Sequence, residues 1–167
     1  SEDTDTDSDG IGNNADTDDD GDGFSDVDEV TNCGEGNDPL NASDMPTDTD
    51  GDISCDALDT DDDGDGTPDA IDAFPLDPSE DTDTDSDGIG NNADTDDDGD
   101  GVADTADAFP LDSSESVDTD SDGTGNNADT DDDGDGVLDA ADAFPLDSSE
   151  SVDTDGDGIG NNEDQDD

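Results

Sequence analysis

Residues 83–107 read DTDSDGIGNNADTDDDGDGVADTAD, a run in which aspartate recurs at every second position up to a glycine and then does so again. Alternate carboxylates on a tightly turning backbone converge on one point, and glycine supplies the positive φ that the turn needs. Converging carboxylates call for a cation. On the calcium-loop ligand scheme, Asp83, Asp85 and Asp87 fall at positions 1, 3 and 5, Gly88 at the turn position 6, Ile89 at the carbonyl position 7, Asn91 at 9 and Asp94 at 12. Asp96, Asp98, Asp100, Gly101, Val102, Asp104 and Asp107 then fill the same slots, with Thr95 as the join. Ca²⁺ takes 6 to 8 hard oxygen ligands at roughly 2.3–2.6 Å, which this spacing suits. The residue at position 7 presents its carbonyl inward, so its side chain, apolar or Thr in the well-formed copies, is expected to join a small common core.

The pattern runs along the chain. Loops of the first type, A, begin at Asp5, Asp48, Asp83, Asp118 and Asp153, and loops of the second type, B, at Asp18, Asp61, Asp96 and Asp131, nine in all. Each B loop starts 13 residues after its A loop; successive A loops are 35 residues apart, except for a first interval of 43. A fixed period of this length marks a linear array whose units pack on their neighbours. The organisation expected is repeat unit 1 at 1–23, an irregular insert at 24–47, and units 2, 3 and 4 at 48–82, 83–117 and 118–152. A partial unit 5 follows at 153–167. Ser1-Glu2 matches Ser79-Glu80, and Asp166-Asp167 would open another B loop. With no initiator Met, signal peptide or membrane-length apolar run, the sequence reads as a piece of a longer product.

Charge decides what can order such a chain. Its 167 residues include 61 acids and no Lys, Arg or His, for a formal charge of -61. Carboxylates about 7 Å apart repel by roughly 0.6 kcal/mol per pair even in water, and dozens of such pairs exceed a typical domain's stability. With hydrophobic residues at 22% and aromatic ones at 2%, the metal-free chain is expected to be expanded. One Ca²⁺ in each of nine loops would reduce the charge of -61 by 18, leaving -43. More than one ion per loop, or carboxylates such as Asp94 shared between ions, is therefore expected.

The same composition excludes much. Without His, Lys, Arg or Tyr, no serine has a base, and calcium-bound carboxylates are poor proton shuttles, so enzymatic chemistry is not expected. Glycoside hydrolysis would need aromatic or basic groups to hold the sugar. Zinc lacks its ligands, with no His and two distant Cys. Magnesium insists on near-octahedral geometry and keeps its water. Nucleic acids and anionic membranes should be repelled unless calcium bridges them.

Between a B loop and the next A loop runs a linker, AFPLDPSED at 73–81 and AFPLDSSES at 108–116 and 143–151. Phe74, Phe109 and Phe144, each with its following Leu, are expected to cover the apolar side of adjacent loops; the alternative is a spacer stiffened by proline. In the insert, Val27 and Val30 stand three apart, so a short helix near 25–31 is expected. Asp26 and Glu29 complete the first B loop at positions 9 and 12. In the A loop at Asp48, Ile53 takes the glycine position, which should make this site the weakest or most distorted. Cys33 and Cys55 flank the insertion, and a disulfide between them would contribute about 3 kcal/mol and suit an oxidising, extracellular setting. The alternative is a pair of free thiols. Asn41-Ala42-Ser43 is a single glycosylation sequon.

Tandem DxDxDGxx(D/N)xxD loops alternating at 13-residue spacing resemble thrombospondin type 3 repeats, extracellular calcium-binding modules, over nearly the whole chain except 24–47. The resemblance implies an elongated, calcium-organised tandem array, mostly irregular, with little regular secondary structure. Carried over slot by slot, it implies metal ligands at Asp5, Asp7, Asp9, Asn13 and Asp16, then at Asp18, Asp20, Asp22, Asp26 and Glu29. In unit 2 the slots are Asp48, Asp50, Asp52, Asp56 and Asp59, with Asp61, Asp63, Asp65, Asp69 and Asp72. Unit 3 repeats the slots of 83–107 given above. Unit 4 supplies Asp118, Asp120, Asp122, Asn126 and Asp129, with Asp131, Asp133, Asp135, Asp139 and Asp142, and unit 5 supplies Asp153, Asp155, Asp157, Asn161 and Asp164. Animal members carry regularly spaced cysteines, whereas this chain has one pair. An EF-hand or dockerin would need flanking helices, and a calcium β-roll would need a nine-residue GGxGxD period.

Three roles fit. The favoured one is an extracellular or cell-surface calcium-stiffened rod, stalk or self-associating filament, its chains bridged by calcium. The others are a calcium reservoir or mineral-nucleating polyanion, and a passive spacer in a larger adhesin, exoenzyme or outer-membrane protein.

Overall fold

The computed structural model describes residues 4–34 and 36–165. The expected counterparts at Ser1-Glu2 and Asp166-Asp167 lie outside these residues. Among the described residues the chain is almost entirely turns and bends, with no strand and one short helical segment. Contacts divide the chain into two compact units, Ser1–Thr82 and Asp83–Asp167.

The second unit shows the repeat in its plainest form. In the A loop at Asp118, the Asn126 N–H donates to the Val117 carbonyl at 2.9 Å and closes the loop. The Asp129 N–H then donates to the Gly125 carbonyl at 2.9 Å, making one helical turn that carries positions 9 and 12. The B loop repeats both contacts, from Asp139 to Thr130 and from Asp142 to Leu138, each at 3.0 Å. Local hydrogen bonds thus define the loops where an apolar core cannot.

The linkers differ from expectation in what they bury. Phe109 and Phe144 are half-buried, but Leu111 and Leu146 stay exposed. Glu80, Glu115 and Glu150 are the buried linker side chains. The Asn127 N–H donates to Glu115 Oε2 at 3.0 Å, and Asn127 Nδ2 donates to the Ser114 carbonyl at 2.6 Å. Glu150, Asn162 and Ser149 repeat the arrangement, with Asn162 N–H to Glu150 Oε2 at 3.0 Å. Gly125 and Gly160 make room for it, since a Cβ at either would overlap the glutamate carboxylate. The reason is electrostatic: a buried carboxylate requires charge-assisted partners, and a backbone N–H supplies one, while a leucine has no apolar surface here large enough to cover it.

The first unit contains the insert. A helical turn at Asp28–Asn32 is of π type, with the Cys33 N–H reaching the Asp28 carbonyl at 2.9 Å. Asn32 Nδ2 donates to Asp28 Oδ1 at 2.7 Å and Ser25 Oγ to Asp28 Oδ2 at 2.7 Å, which holds the Asp28 carboxyl below its usual range. The expected helix is present, but its valines face outward: Val27 and Val30 are exposed and Glu29 is fully buried. The acid takes the inward face.

Cys33 and Cys55 form a disulfide, which with Phe24 makes a cluster of buried apolar side chains. The common core expected from position 7 does not form elsewhere, since Ile11, Ile89 and Ile159 are each nearly half exposed. The A loop at Asp48 is not distorted. Ile53 adopts φ 76°, and its N–H donates to Asp48 Oδ2 at 3.1 Å, as the Gly88 N–H does to Asp83 Oδ2 at the same distance. A β-branched residue in this region is strained by about 1–2 kcal/mol. The disulfide two residues on and the lodging of the Ile53 side chain over Gly23 hold it there.

Candidate metal centres

The loops aim their carboxylates by tying one oxygen to backbone. At position 5, Oδ1 accepts from the N–H of position 7, as with Asp87 and Ile89 at 2.8 Å or Asp100 and Val102 at 2.6 Å. At position 3, Oδ1 accepts from the N–H of position 5, as with Asp85 and Asp87 at 3.0 Å. At position 1, Oδ2 accepts from the N–H of position 6, as with Asp96 and Gly101 at 3.1 Å. These bonds fix three side chains to one side of the turn. Ligand oxygens of Asp5, Asp7 and Asp9 lie within 4.8 Å of one another, and so do those of Asp18, Asp20 and Asp22. The triads at Asp48, Asp61 and Asp83 do the same, and four further acidic clusters of this kind occur among the described residues.

The oxygens left over are the informative ones. Oδ1 of Asp61, Asp83, Asp96, Asp118 and Asp131 at position 1 is buried with no hydrogen-bond partner, and so is Oδ2 of Asp20, Asp63, Asp98 and Asp133 at position 3. At position 12, Asp72, Asp107 and Asp142 each use Oδ1 to accept from the N–H of the following Phe at 2.6–2.7 Å and leave Oδ2 buried and unpartnered. Glu29 is the extreme case. Both its oxygens are buried without partners, and burial followed by repulsion from Asp20, Asp22, Asp26 and Asp18 pushes its carboxyl up to about 7. Buried acceptors with no donor cost free energy, and a divalent cation satisfies several at once. Among the chemistries available to all-oxygen clusters, that of calcium fits.

Position 9 has a further role. Asn126 Oδ1 accepts from the Thr119 N–H at 3.0 Å while Nδ2 donates to Thr119 Oγ1 at 2.7 Å, and Asn91 and Asn161 make the same pair of bonds. In B loops an aspartate does the backbone half of this work, as with Asp139 Oδ1 and the Asp132 N–H at 2.9 Å. These side chains brace the loop, and the oxygen keeps one lone pair for an ion.

Residues missed by the ligand scheme stand at position 2 of the B loops. Oδ1 of Asp19, Asp62 and Asp132 is buried and unpartnered. Burial, then repulsion from Asp26, Asp69 and Asp139 respectively, raises their carboxyls above the ordinary range. Asp16, Asp59 and Asp129, at position 12 of the preceding A loop, are close enough to add to that repulsion. The signal in the sequence was the DDDGDG run, where A loops have Thr at position 2. The two loops of a pair also interlock: a Cβ on Gly99 would stand 2.6 Å from Asp85 Oδ2, and Gly64 meets Asp50 at the same distance. Such approach, together with φ 70° at both positions, requires glycine.

The family model for the thrombospondin type 3 repeat matches twice in tandem, at residues 82–115 and 117–150. No curated protein matches the chain. Thrombospondin type 3 repeats are calcium-binding structural repeats, and the acidic clusters described above fit that chemistry.

Proposed function

From a chain that carries tandem thrombospondin type 3 repeats, we propose an extracellular structural protein in which calcium takes the place of a hydrophobic core. Positions 1, 3, 5 and 12 and the carbonyl of position 7 would hold one ion in each loop, including the loops outside the two matched segments. The observation that carries this reading is the recurrent pairing of oxygens, one tied to backbone and the other buried without a partner, in a chain that has no cationic side chain. Asp19, Asp62 and Asp132, with Asp16, Asp59 and Asp129 shared between loops, supply donors for ions beyond one per loop. The extracellular assignment is supported by the Cys33–Cys55 disulfide, and no helix among the described residues is long and apolar enough to cross a membrane.

The role that fits is a calcium-stiffened rod or stalk, or a filament of such chains bridged by ions. A reservoir or mineral-nucleating polyanion would need capacity alone, whereas these loops share one hydrogen-bonded register and are joined by docked glutamates. Calcium titration by equilibrium dialysis should give at least nine ions per chain, falling on Asp132→Asn replacement. A count below nine would refute the loop assignment. Electron micrographs with calcium and after chelation decide between stalk and filament, and dispersed coils in saturating calcium would refute both.

A further inference from the structure

Each linker carries an apolar groove that no metal loop uses. Phe74, Pro75, Leu76 and Asp77 line one of about 240 Å³, Phe109 to Asp112 line a second of about 240 Å³, and Phe144 to Asp147 line a third of about 260 Å³. Their leucines are 60%, 62% and 61% exposed, against the half-buried phenylalanines beside them. The grooves are too shallow for a ligand to be enclosed and each suits one side chain.

The fourth wall of each groove is an acid outside every ligand slot. Ser79 Oγ donates to Asp77 Oδ1 at 2.6 Å and the Ser79 N–H donates to the same oxygen at 3.2 Å. Ser114 with Asp112 and Ser149 with Asp147 repeat the pair of bonds at 2.6 and 3.1 Å. These hydrogen bonds, from the serine hydroxyl first, hold the three carboxyls below the usual range. The rim charge is therefore fixed in place.

A shallow apolar floor with one fixed anion at its rim matches a side chain that has an aliphatic stem and a cationic head. We propose that the three Phe-Pro-Leu grooves are docking points for lysine or arginine side chains of a basic partner protein. Charge complementarity argues for that occupant. A second copy of this chain has no Lys, Arg or His to offer, and an anionic lipid surface would be repelled. The inference rests on calcium ordering the linkers, so circular dichroism in calcium comes first. An unfolded chain there refutes the ordering, and a folded one that ignores the probe refutes the docking.

The test titrates the calcium-saturated full chain, at physiological salt, with a short capped peptide alternating leucine and lysine. A leucine–glutamine peptide and tetralysine serve as comparators. Saturable binding is expected, with shifts at the rings of Phe74, Phe109 and Phe144. Replacing Leu76, Leu111 and Leu146 by Ser should lower affinity on the order of tenfold, the worth of one buried leucine contact. Replacing Asp77, Asp112 and Asp147 by Asn should bring the lysine peptide down to the affinity of its glutamine counterpart. Equal binding by the leucine variant would reduce the effect to diffuse polyanion attraction, and equal binding of the glutamine peptide to the unaltered chain would remove the rim charge from recognition. A doubled mass without peptide, lost in the leucine variant, would make a second copy the occupant; each of these overturns the proposal.

Discussion

Gly125→Ala probes how one repeat is seated on the next. Gly125 is not in the left-handed region, so alanine suits its backbone, but the new Cβ would overlap the Glu115 carboxylate. Glu115 must then leave, and the hydrogen bond from the Asn127 N–H at 3.0 Å is lost with it. A hydrogen bond to a charged group contributes about 1.5–3 kcal/mol. Alanine returns about 0.4–1 kcal/mol by restricting the unfolded chain. The net loss is about 1–2 kcal/mol, or roughly a 5- to 30-fold weaker folding equilibrium. Because folding and ion binding are linked, it should appear as a higher calcium midpoint in circular dichroism, with faster hydrogen exchange at the Asn127 amide. Adding Glu115→Ala to Gly125→Ala should cost little more, since both remove one interaction. A Gly125→Ala chain as stable as the parent, or more so, or one whose effect simply adds to that of Glu115→Ala, would refute the clamp.

Three other changes test separate parts of the structure. Gly88→Ala places a Cβ in open space at φ 93°, so its cost is backbone strain alone, about 1–2 kcal/mol, read as a raised calcium midpoint. Replacing both Cys33 and Cys55 by Ser opens a link spanning 22 residues and should cost about 3 kcal/mol, with amides near the strained Ile53 losing exchange protection first. Glu29 has its carboxyl raised from 4.5 to about 7, so a chain held folded by calcium in its other loops, with the first B loop still empty, keeps a proton there that the unfolded chain releases. Its stability then falls as pH rises across that window, while calcium, which must displace the proton, binds the first B loop more tightly up to about pH 7 and no more tightly above it. Calorimetry in two buffers of different ionisation enthalpy should register that proton at pH 6, and Glu29→Gln should abolish it.

Loop positions were legible in the sequence because calcium-loop spacing is a local rule: Asp83, Asp85 and Asp87 aim by bonds to residues no more than five positions away. Contacts over longer separations were not. Glu115 and Asn127 lie 12 residues apart, and only the recurrence of Ser-Glu in the linkers and of a second Asn in the A loops hinted at them. Hydrophobicity misled at Leu111, Val27 and Val30, because apolar side chains sort inward only where there is an interior, and here the inward places go to acids. Ile53 misled differently. A missing glycine reads as a broken loop, yet the loop keeps its geometry and the strain falls on the backbone.

The measurement that bears most directly on calcium as the replacement for a core is small-angle X-ray scattering with light scattering on the full chain. It should be titrated with Ca²⁺, then with EDTA, and in parallel with Mg²⁺. A reversible passage from an expanded coil to a defined particle in calcium alone is the expected result, with the mass distinguishing single rods from filaments. Calcium bound at full stoichiometry by a chain that stays expanded would contradict it.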